Sequence, residues 1–195
     1  MSALFWGVAG VLAGRVGRRW LGRLPRGVLV RAGWCEAAVA CAWAVTALRE
    51  PPWWWMPLSL LVGWGAVLLG ACDLRVRRLP DVLTLPAYPA VAVLVGLAAA
   101  HRPGVVLGSV AGLALFGGTY LLVRLVVPAA MGGGDVKLAG ALGMAVGAVS
   151  VQSAVAVMVA AAVLTLVAAL ARRTRAVPHG PAMLLPSWLV TLSGP

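Results

Sequence analysis

The chain has 195 residues, of which 62% are hydrophobic and only 11% charged, and its mean hydropathy is +0.98. This composition excludes an ordinary soluble domain and predicts that lipid is the solvent for most of the surface. The formal net charge of +11 lies in clusters between apolar runs rather than along one soluble face, which argues against a nucleic-acid partner.

Eight apolar segments follow one another along the chain, and we expect each to be a helix. Their runs are continuous in Leu, Val, Ala and Gly and lack the short alternating pattern of an outer-membrane strand. In chain order they are 3–14, 33–48, 56–72, 82–100, 105–127, 136–149, 151–171 and 181–192. Because residues 136–171 are too many for one crossing, we place a turn near Ser150 to Ser153. The sequence therefore predicts an all-α polytopic membrane protein with about seven or eight transmembrane helices, built as one domain over residues 1–195 with core helices at about 56–171.

The basic residues between these segments predict the topology. They form four clusters, and pairs of apolar segments separate each cluster from the next, so all four can face one side of the membrane. By the positive-inside rule that side is the cytoplasm. The clusters are Arg15, Arg18, Arg19, Arg23, Arg26 and Arg31; Arg75, Arg77 and Arg78; Arg124 and Lys137; and Arg172, Arg173 and Arg175.

Two of the five acidic residues stand at the ends of apolar segments, where they are least expected. Asp73 follows the third segment and Asp135 precedes the sixth, and the intervening hairpin returns the chain to the same face, so the two can be neighbours. Each also has an ordinary explanation. Asp135 could cap the helix that follows it, and arginines near Asp73 could balance it as a surface charge. Asp73, however, would lie at a helix C-terminus, where the helix dipole disfavours a carboxylate.

A pair of carboxylates held close together has a specific chemical use. Ionising both costs free energy because the two charges repel, so one group keeps a proton while the other acts as a base. This arrangement activates water for attack on a peptide carbonyl. Gly132, Gly133 and Gly134 precede Asp135, and they could allow positive φ and close approach of a substrate backbone, or simply form a flexible loop. Lys137 could influence the ionisation of Asp135 or contact lipid phosphate, and the sequence does not decide between these.

The remaining polar residues predict neither a metal site nor a cofactor. Asp81 opens the fourth segment and is expected to act as a helix N-cap. His179 and His101 are expected on opposite sides of the membrane, so they cannot share a ligand set. Cys35, Cys41 and Cys72 contain no C-x-x-C pair, which argues against a zinc site and a disulfide framework.

Two motifs in this order resemble those of the type IV prepilin peptidases, membrane aspartyl proteases of the GxGD class. The run Gly132-Gly133-Gly134-Asp135-Val136-Lys137-Leu138 is similar to the second catalytic motif of that family. Asp73 with the following Leu79-Pro80-Asp81-Val82-Leu83-Thr84-Leu85-Pro86 is similar to the first. The likeness extends to residues 7–25, an apolar helix ending in a basic stretch with Leu-Pro, and to residues 177–181, which resemble the opening of the family's last helix.

The resemblance implies a peptidase that removes the leader of a prepilin or pilin-like pseudopilin at the cytoplasmic face of a bacterial plasma membrane. It implies that Asp73 and Asp135 are the catalytic acid/base pair, without a covalent intermediate, and that Gly132 to Gly134 can lie against the substrate. The family members that also methylate the new N-terminus carry an insert with paired C-x-x-C motifs, which the stretch 15–31 lacks. The resemblance therefore favours a form that only cleaves. The alternative is a non-enzymatic membrane protein, such as a small transporter or an assembly scaffold, because carboxylates within membranes often mark ion pathways.

Overall fold

The computed structural model describes residues 2–24, 27–129, 131–173 and 177–195, and regular structure in these residues is helical throughout. Three residues invoked in the sequence analysis, Pro25, Arg26 and Arg175, lie outside this part of the chain. The helices are α1 (Ala3–Leu21), α2 (Trp34–Leu48), α3 (Met56–Val76), α4 (Asp81–Ala99), α5 (Gly104–Val126), α6 (Gly133–Val149), α7 (Val151–Arg172) and α8 (Gly180–Thr191).

Each of the eight predicted apolar segments is a helix, so the prediction of an all-α membrane protein is confirmed. Four helices, α3, α4, α5 and α7, are long and apolar enough to cross a membrane on their own. The predicted turn is also confirmed, because α6 ends at Val149 and Ser150 caps α7 by accepting a hydrogen bond from the backbone N–H of Ser153 at 3.0 Å. The total number of crossings stays a prediction.

Three predicted helix boundaries were wrong, and in each case the helix is longer. Helix α6 begins at Gly133 and not at Val136. Helix α1 continues past Gly14 to Leu21, where Arg18 forms an ion pair with Glu36 of α2 at 2.8 Å and Leu21 is fully buried. Helix α3 continues past Cys72 to Val76. Arginine is a good helix former, so a basic stretch that leaves the membrane can extend a helix without ending it.

Helix α6 lies at the centre of the bundle, and ten of its residues are buried. It packs most closely against α5, where Gly108 and Gly112 face Gly147 and Gly143. A methyl group on any of these four glycines would collide with the backbone of the opposite helix. Small residues spaced four apart on both helices thus let the two backbones touch, as is common between membrane helices. This contact fixes the position of the N-terminus of α6, which carries Asp135.

Helix α5 contains a π-helical turn, Leu113–Gly117, between its two α-helical parts. Phe116 in this turn is fully buried, and its ring meets that of Tyr120 at a centroid distance of 5.0 Å. A π-turn inserts one residue into the helix, so it rotates the residues that follow by about 100° relative to a regular α-helix. The turn therefore sets which way Tyr120 faces.

Helices α3 and α8 run antiparallel, and buried hydrogen bonds join them near both ends. At one end the Trp55 indole N–H and the Ser59 hydroxyl both donate to the Thr191 carbonyl at 2.8 Å. At the other end the Gly180 N–H donates to the Asp73 carboxylate. Asp73 therefore lies at a fixed height beside the start of α8.

Candidate active site

Asp73 lies in the last turn of α3 and is only 5% exposed. Its carboxylate Oδ2 accepts a hydrogen bond of 2.8 Å from the backbone N–H of Gly180, the first residue of α8. The positive end of the α8 dipole thus faces the carboxylate and compensates for its unfavourable place at the C-terminus of α3. A Cβ at position 180 would lie 2.9 Å from Oδ2, so only glycine allows this approach without a shift.

Asp135 is the third residue of α6 and lies in its first turn. The interpretation of Asp135 as the N-cap was wrong, because Gly132 holds that position and the cap has no side-chain hydrogen bond. A negative charge in the first turn of a helix is favoured by the dipole, but it does not need an inward-facing aspartate. Its carboxylate also accepts a hydrogen bond from the backbone of Gly132, the N-cap residue, so Asp135 keeps a local role at the start of α6 beside any role in the site.

Both aspartates line the same two adjoining cavities, of about 420 Å³ and 590 Å³. Arg77 and Gly132 also border both. The smaller cavity opens towards Asp81 at the start of α4 and the loop before it, and the larger one extends to α7 and to the residues before α8. A further cavity of about 560 Å³, between α2, α3 and α8, is almost wholly apolar and neither aspartate borders it. The two aspartates therefore face the cavities of about 420 Å³ and 590 Å³ and not this apolar one.

Burial and the nearby charge of Asp73 raise the pKa of Asp135 to about 6, although the Gly132 backbone partly offsets this by hydrogen bonding. A carboxyl group with such a pKa holds its proton in mildly acidic solution, where an ordinary aspartate has lost it. Two carboxyl groups that influence each other in this way titrate as a pair. A pair of carboxyl groups that carries one proton can act as acid and base in the hydrolysis of an amide.

The glycines before Asp135 serve close packing rather than an unusual backbone. Gly132 is extended with φ −67°, and Gly133 and Gly134 already belong to α6, so the expectation of positive φ was wrong. A Cβ at Gly134 would lie 2.9 Å from the Cβ of Leu79. The two sequence motifs thus touch each other at this point. A side chain at position 134 would push them apart.

Lys137 forms an ion pair with Asp81, with 2.7 Å between Nζ and Oδ1, and both side chains are about half exposed. The prediction that Asp81 is the N-cap of α4 was wrong, because Pro80 occupies that position. The partner of Lys137 is Asp81 on the rim of the smaller cavity, and the two roles considered for Lys137 stay predictions. This pair links the start of α4 to the start of α6.

The structure adds four residues that sequence reasoning did not assign to the site: Gly180, His179, Tyr120 and Thr165. His179 precedes Gly180 and borders the larger cavity together with Thr165. Its Nε2 lies 2.7 Å from the Tyr120 hydroxyl and its Nδ1 lies 2.6 Å from the Thr165 hydroxyl. The similarity of residues 177–181 to a family motif was the one available signal, and it did not indicate these partners. Among the described residues, no three His, Cys, Asp or Glu side chains lie together where they could hold a metal ion.

Comparison with known proteins gives one match. The model of the type IV leader peptidase family matches residues 60–170, which is more than half of the chain and includes both aspartates. No curated protein matches the chain. No solved structure matches it either.

Proposed function

The chain belongs to the type IV leader peptidase family, and we propose that it is a membrane aspartyl endopeptidase with Asp73 and Asp135 as its catalytic pair. The observation that carries this proposal is that the two aspartates, 62 residues apart in sequence (135 minus 73), border the same two cavities. Membership of the family makes the chain a peptidase, and the paired carboxyl groups supply the aspartic mechanism.

We assign the two groups different protonation states. Asp73 is buried, which disfavours its charge, but it accepts a hydrogen bond from the Gly180 N–H at a helix N-terminus, which stabilises the ionised form against that cost. Asp135 has a pKa raised to about 6, so we assign it the proton when the pair carries one. Asp73 then takes a proton from water as the water oxygen bonds to the scissile carbonyl carbon, while Asp135 protonates the carbonyl oxygen. When the C–N bond breaks, Asp73 returns its proton to the amine and Asp135 recovers its own from the hydroxyl, leaving no covalent intermediate.

The substrate we propose is a type IV prepilin or a pilin-like pseudopilin, cut between a short basic leader and its apolar N-terminal helix. A substrate anchored in the bilayer by that helix would present the junction at the depth of the helix ends that carry Asp73 and Asp135. The four basic clusters support a cytoplasmic position for this end, in a bacterial plasma membrane. Gly132, Gly133 and Gly134 border the smaller cavity and are our candidates for contact with the substrate backbone.

We further propose that the chain cleaves without methylating, as one domain over residues 1–195. Only residues 22–33 separate α1 from α2, and this segment contains no cysteine. Paired C-x-x-C motifs have no place there. Methylation of the cleaved product is therefore not expected.

The decisive experiment is cleavage of a co-expressed prepilin-like protein, followed as a mobility shift. The wild-type chain should process it, and Asp73→Asn and Asp135→Asn should each abolish processing at equal membrane levels. Loss of function at both positions, with normal amounts of protein, would separate a catalytic defect from a folding defect.

The opposite results have a defined meaning. Processing that survives both substitutions would exclude the aspartyl mechanism. Failure of the wild-type chain on several basic leaders would favour the non-enzymatic alternative, a transporter or an assembly scaffold, in which the two acids serve ion binding.

A further inference from the structure

His179 joins three helices at the edge of the site. It is the N-cap residue of α8. Its ring contacts Tyr120 of α5 through Nε2 and Thr165 of α7 through Nδ1, at 2.7 and 2.6 Å. A residue held on both ring nitrogens cannot rotate without breaking a partly buried hydrogen bond, which costs about 1 kcal/mol.

The hydrogen-bond donors in this group can be assigned from one contact. The Thr165 hydroxyl donates to the Ala161 carbonyl at 2.8 Å, so its oxygen is left to accept from His179. His179 must then carry its proton on Nδ1, and Nε2 accepts from the Tyr120 hydroxyl. This is the neutral tautomer that satisfies all three contacts at once. Burial also lowers the pKa of His179, which keeps the ring neutral near neutral pH.

The residue after His179 is Gly180, whose N–H holds the Asp73 carboxylate. We propose that His179 is a positioning residue for the reaction: by tying the start of α8 to α5 and α7, it holds the Gly180 N–H against Asp73. This inference rests on the proposed function, because it assigns Asp73 a role in catalysis. It gives the partly buried group of Tyr120, His179 and Thr165 a role that the acid/base steps themselves do not explain.

The π-turn of α5 contributes to the same arrangement. Tyr120 follows this turn, and its ring packs on Phe116 and lies 5.5 Å from the His179 ring between centroids. Without the inserted residue, Tyr120 would face about 100° away from His179. The irregular helix and the histidine therefore belong to one supporting structure.

Kinetics of purified variants provide the first test, on a reporter that joins a short basic leader to an apolar helix. His179→Phe should lower kcat by about 10- to 100-fold and change KM by less than about twofold, because it misplaces a catalytic group without removing a substrate contact. Tyr120→Phe and Thr165→Val, each removing one hydrogen bond, should lower kcat by less. His179→Gln, which keeps an acceptor for Tyr120, should recover part of the loss.

The chain offers a matched control. His101 is its other histidine, lies at the opposite end of the bundle and stacks on Trp54. His101→Phe should leave kcat unchanged. Wild-type kcat in His179→Phe, or a change in KM alone, would overturn the proposal.

A second test does not depend on activity. His179–Gly180 is the one His-Gly step in the sequence, so a sample with ¹³C-carbonyl histidine and ¹⁵N-glycine gives a single HNCO signal, that of the Gly180 amide. Its proton should be shifted downfield by the bond to Asp73, and Asp73→Asn should move it upfield. Tyr120→Phe and Thr165→Val should move it in the same direction.

The outcomes of the two tests are separable. A Gly180 signal that responds to Asp73→Asn but not to Tyr120→Phe or Thr165→Val would overturn the positioning role of His179. A reporter that the wild-type chain does not cut would count against the proposed function, while the HNCO measurement would still decide how Gly180 is held.

Discussion

Asp73 and Asp135 share two cavities but differ in what surrounds each carboxyl group. Asp73 is buried in the last turn of α3 and receives an N–H from the start of α8. Asp135 lies in the first turn of α6, with a pKa of about 6 raised by burial and by the charge of Asp73. The asymmetry matters because a pair that shares one proton needs one group to hold it and the other to release it.

The raised pKa of Asp135 predicts a pH-dependent effect on stability. Between its ordinary pKa of 3.8 and about 6, the folded chain holds a proton that the unfolded chain has lost, so ionising Asp135 above pH 6 destabilises the fold. Asp135→Asn removes this penalty, which is at most about 3 kcal/mol. Asp135→Asn should therefore unfold at a higher temperature than wild type at pH 8, with the difference shrinking towards pH 4. Thermal unfolding in detergent at both pH values measures this, and an equal difference at pH 4 and pH 8 would contradict it.

Asp81 provides the contrasting case of an acidic residue with a local role. Its pair with Lys137 is about half exposed, and such pairs contribute less than about 1 kcal/mol. Asp81→Asn should retain most of the wild-type cleavage, because the observed partner of Asp81 is Lys137 and not either of the two proposed catalytic groups. The same co-expression assay checks this. A loss as complete as that of Asp73→Asn would mean that the wrong carboxylate has been assigned.

The sequence could predict the two aspartates but not what supports them. Asp73 and Asp135 stand out because acids are rare in this chain and because the charge clusters put both at one end. The contacts of His179 with Tyr120 and Thr165 span 59 and 14 residues and depend on how three helices are rotated about their axes. A single sequence carries no signal for such rotations. The π-turn that helps to set one of them has no sequence signature either.

At the scale of helices, hydropathy located all eight elements and misjudged only their ends. The hydropathy pattern shows where contact with lipid ends. The helical backbone can continue beyond that point. Helix α1 therefore runs seven residues beyond the apolar segment, from Gly14 to Leu21, and α3 carries Asp73 inside its last turn. Contacts made after the lipid boundary, such as the pair of Arg18 with Glu36, determine those ends.

The glycine contact between α5 and α6 predicts a strong position effect for the same substitution. A Cβ at Gly112 would collide with the carbonyl of Gly143 and lie 2.7 Å from the Cα of Gly147, whereas at Gly118, on the same helix, it meets nothing within 4 Å. Gly112→Ala should therefore destabilise the protein by about 1–3 kcal/mol. Gly118→Ala should be neutral or stabilise it by up to about 1 kcal/mol, because alanine restricts the unfolded chain. Thermal midpoints of the two variants in detergent make the comparison, and equal midpoints would show that the backbones do not touch.

At the scale of the whole molecule, the contacts between helices and the pattern of basic residues place the same residues at one end of the bundle. The Trp64 indole donates to the Ala13 carbonyl and Gly17 faces Leu68, so α1 runs parallel to α3. The basic stretch after α1 therefore lies at the same end as Asp73. Arg49 and Arg102 belong to the other end, where Trp53 meets His101 at a centroid distance of 4.9 Å.

The proposed orientation predicts which end is accessible from outside the cell. Leu29, in the segment after α1, is 82% exposed, and Trp53, before α3, is 76% exposed, so a cysteine at either position keeps every charge and disturbs little packing. In a chain whose three native cysteines are replaced by alanine, Trp53→Cys should react with a membrane-impermeant maleimide in intact spheroplasts. Leu29→Cys should react only after the membrane is opened, because the proposed orientation places the four basic clusters in the cytoplasm. The reverse pattern would place Asp73 and Asp135 outside, and leader cleavage would then have to follow export of the substrate.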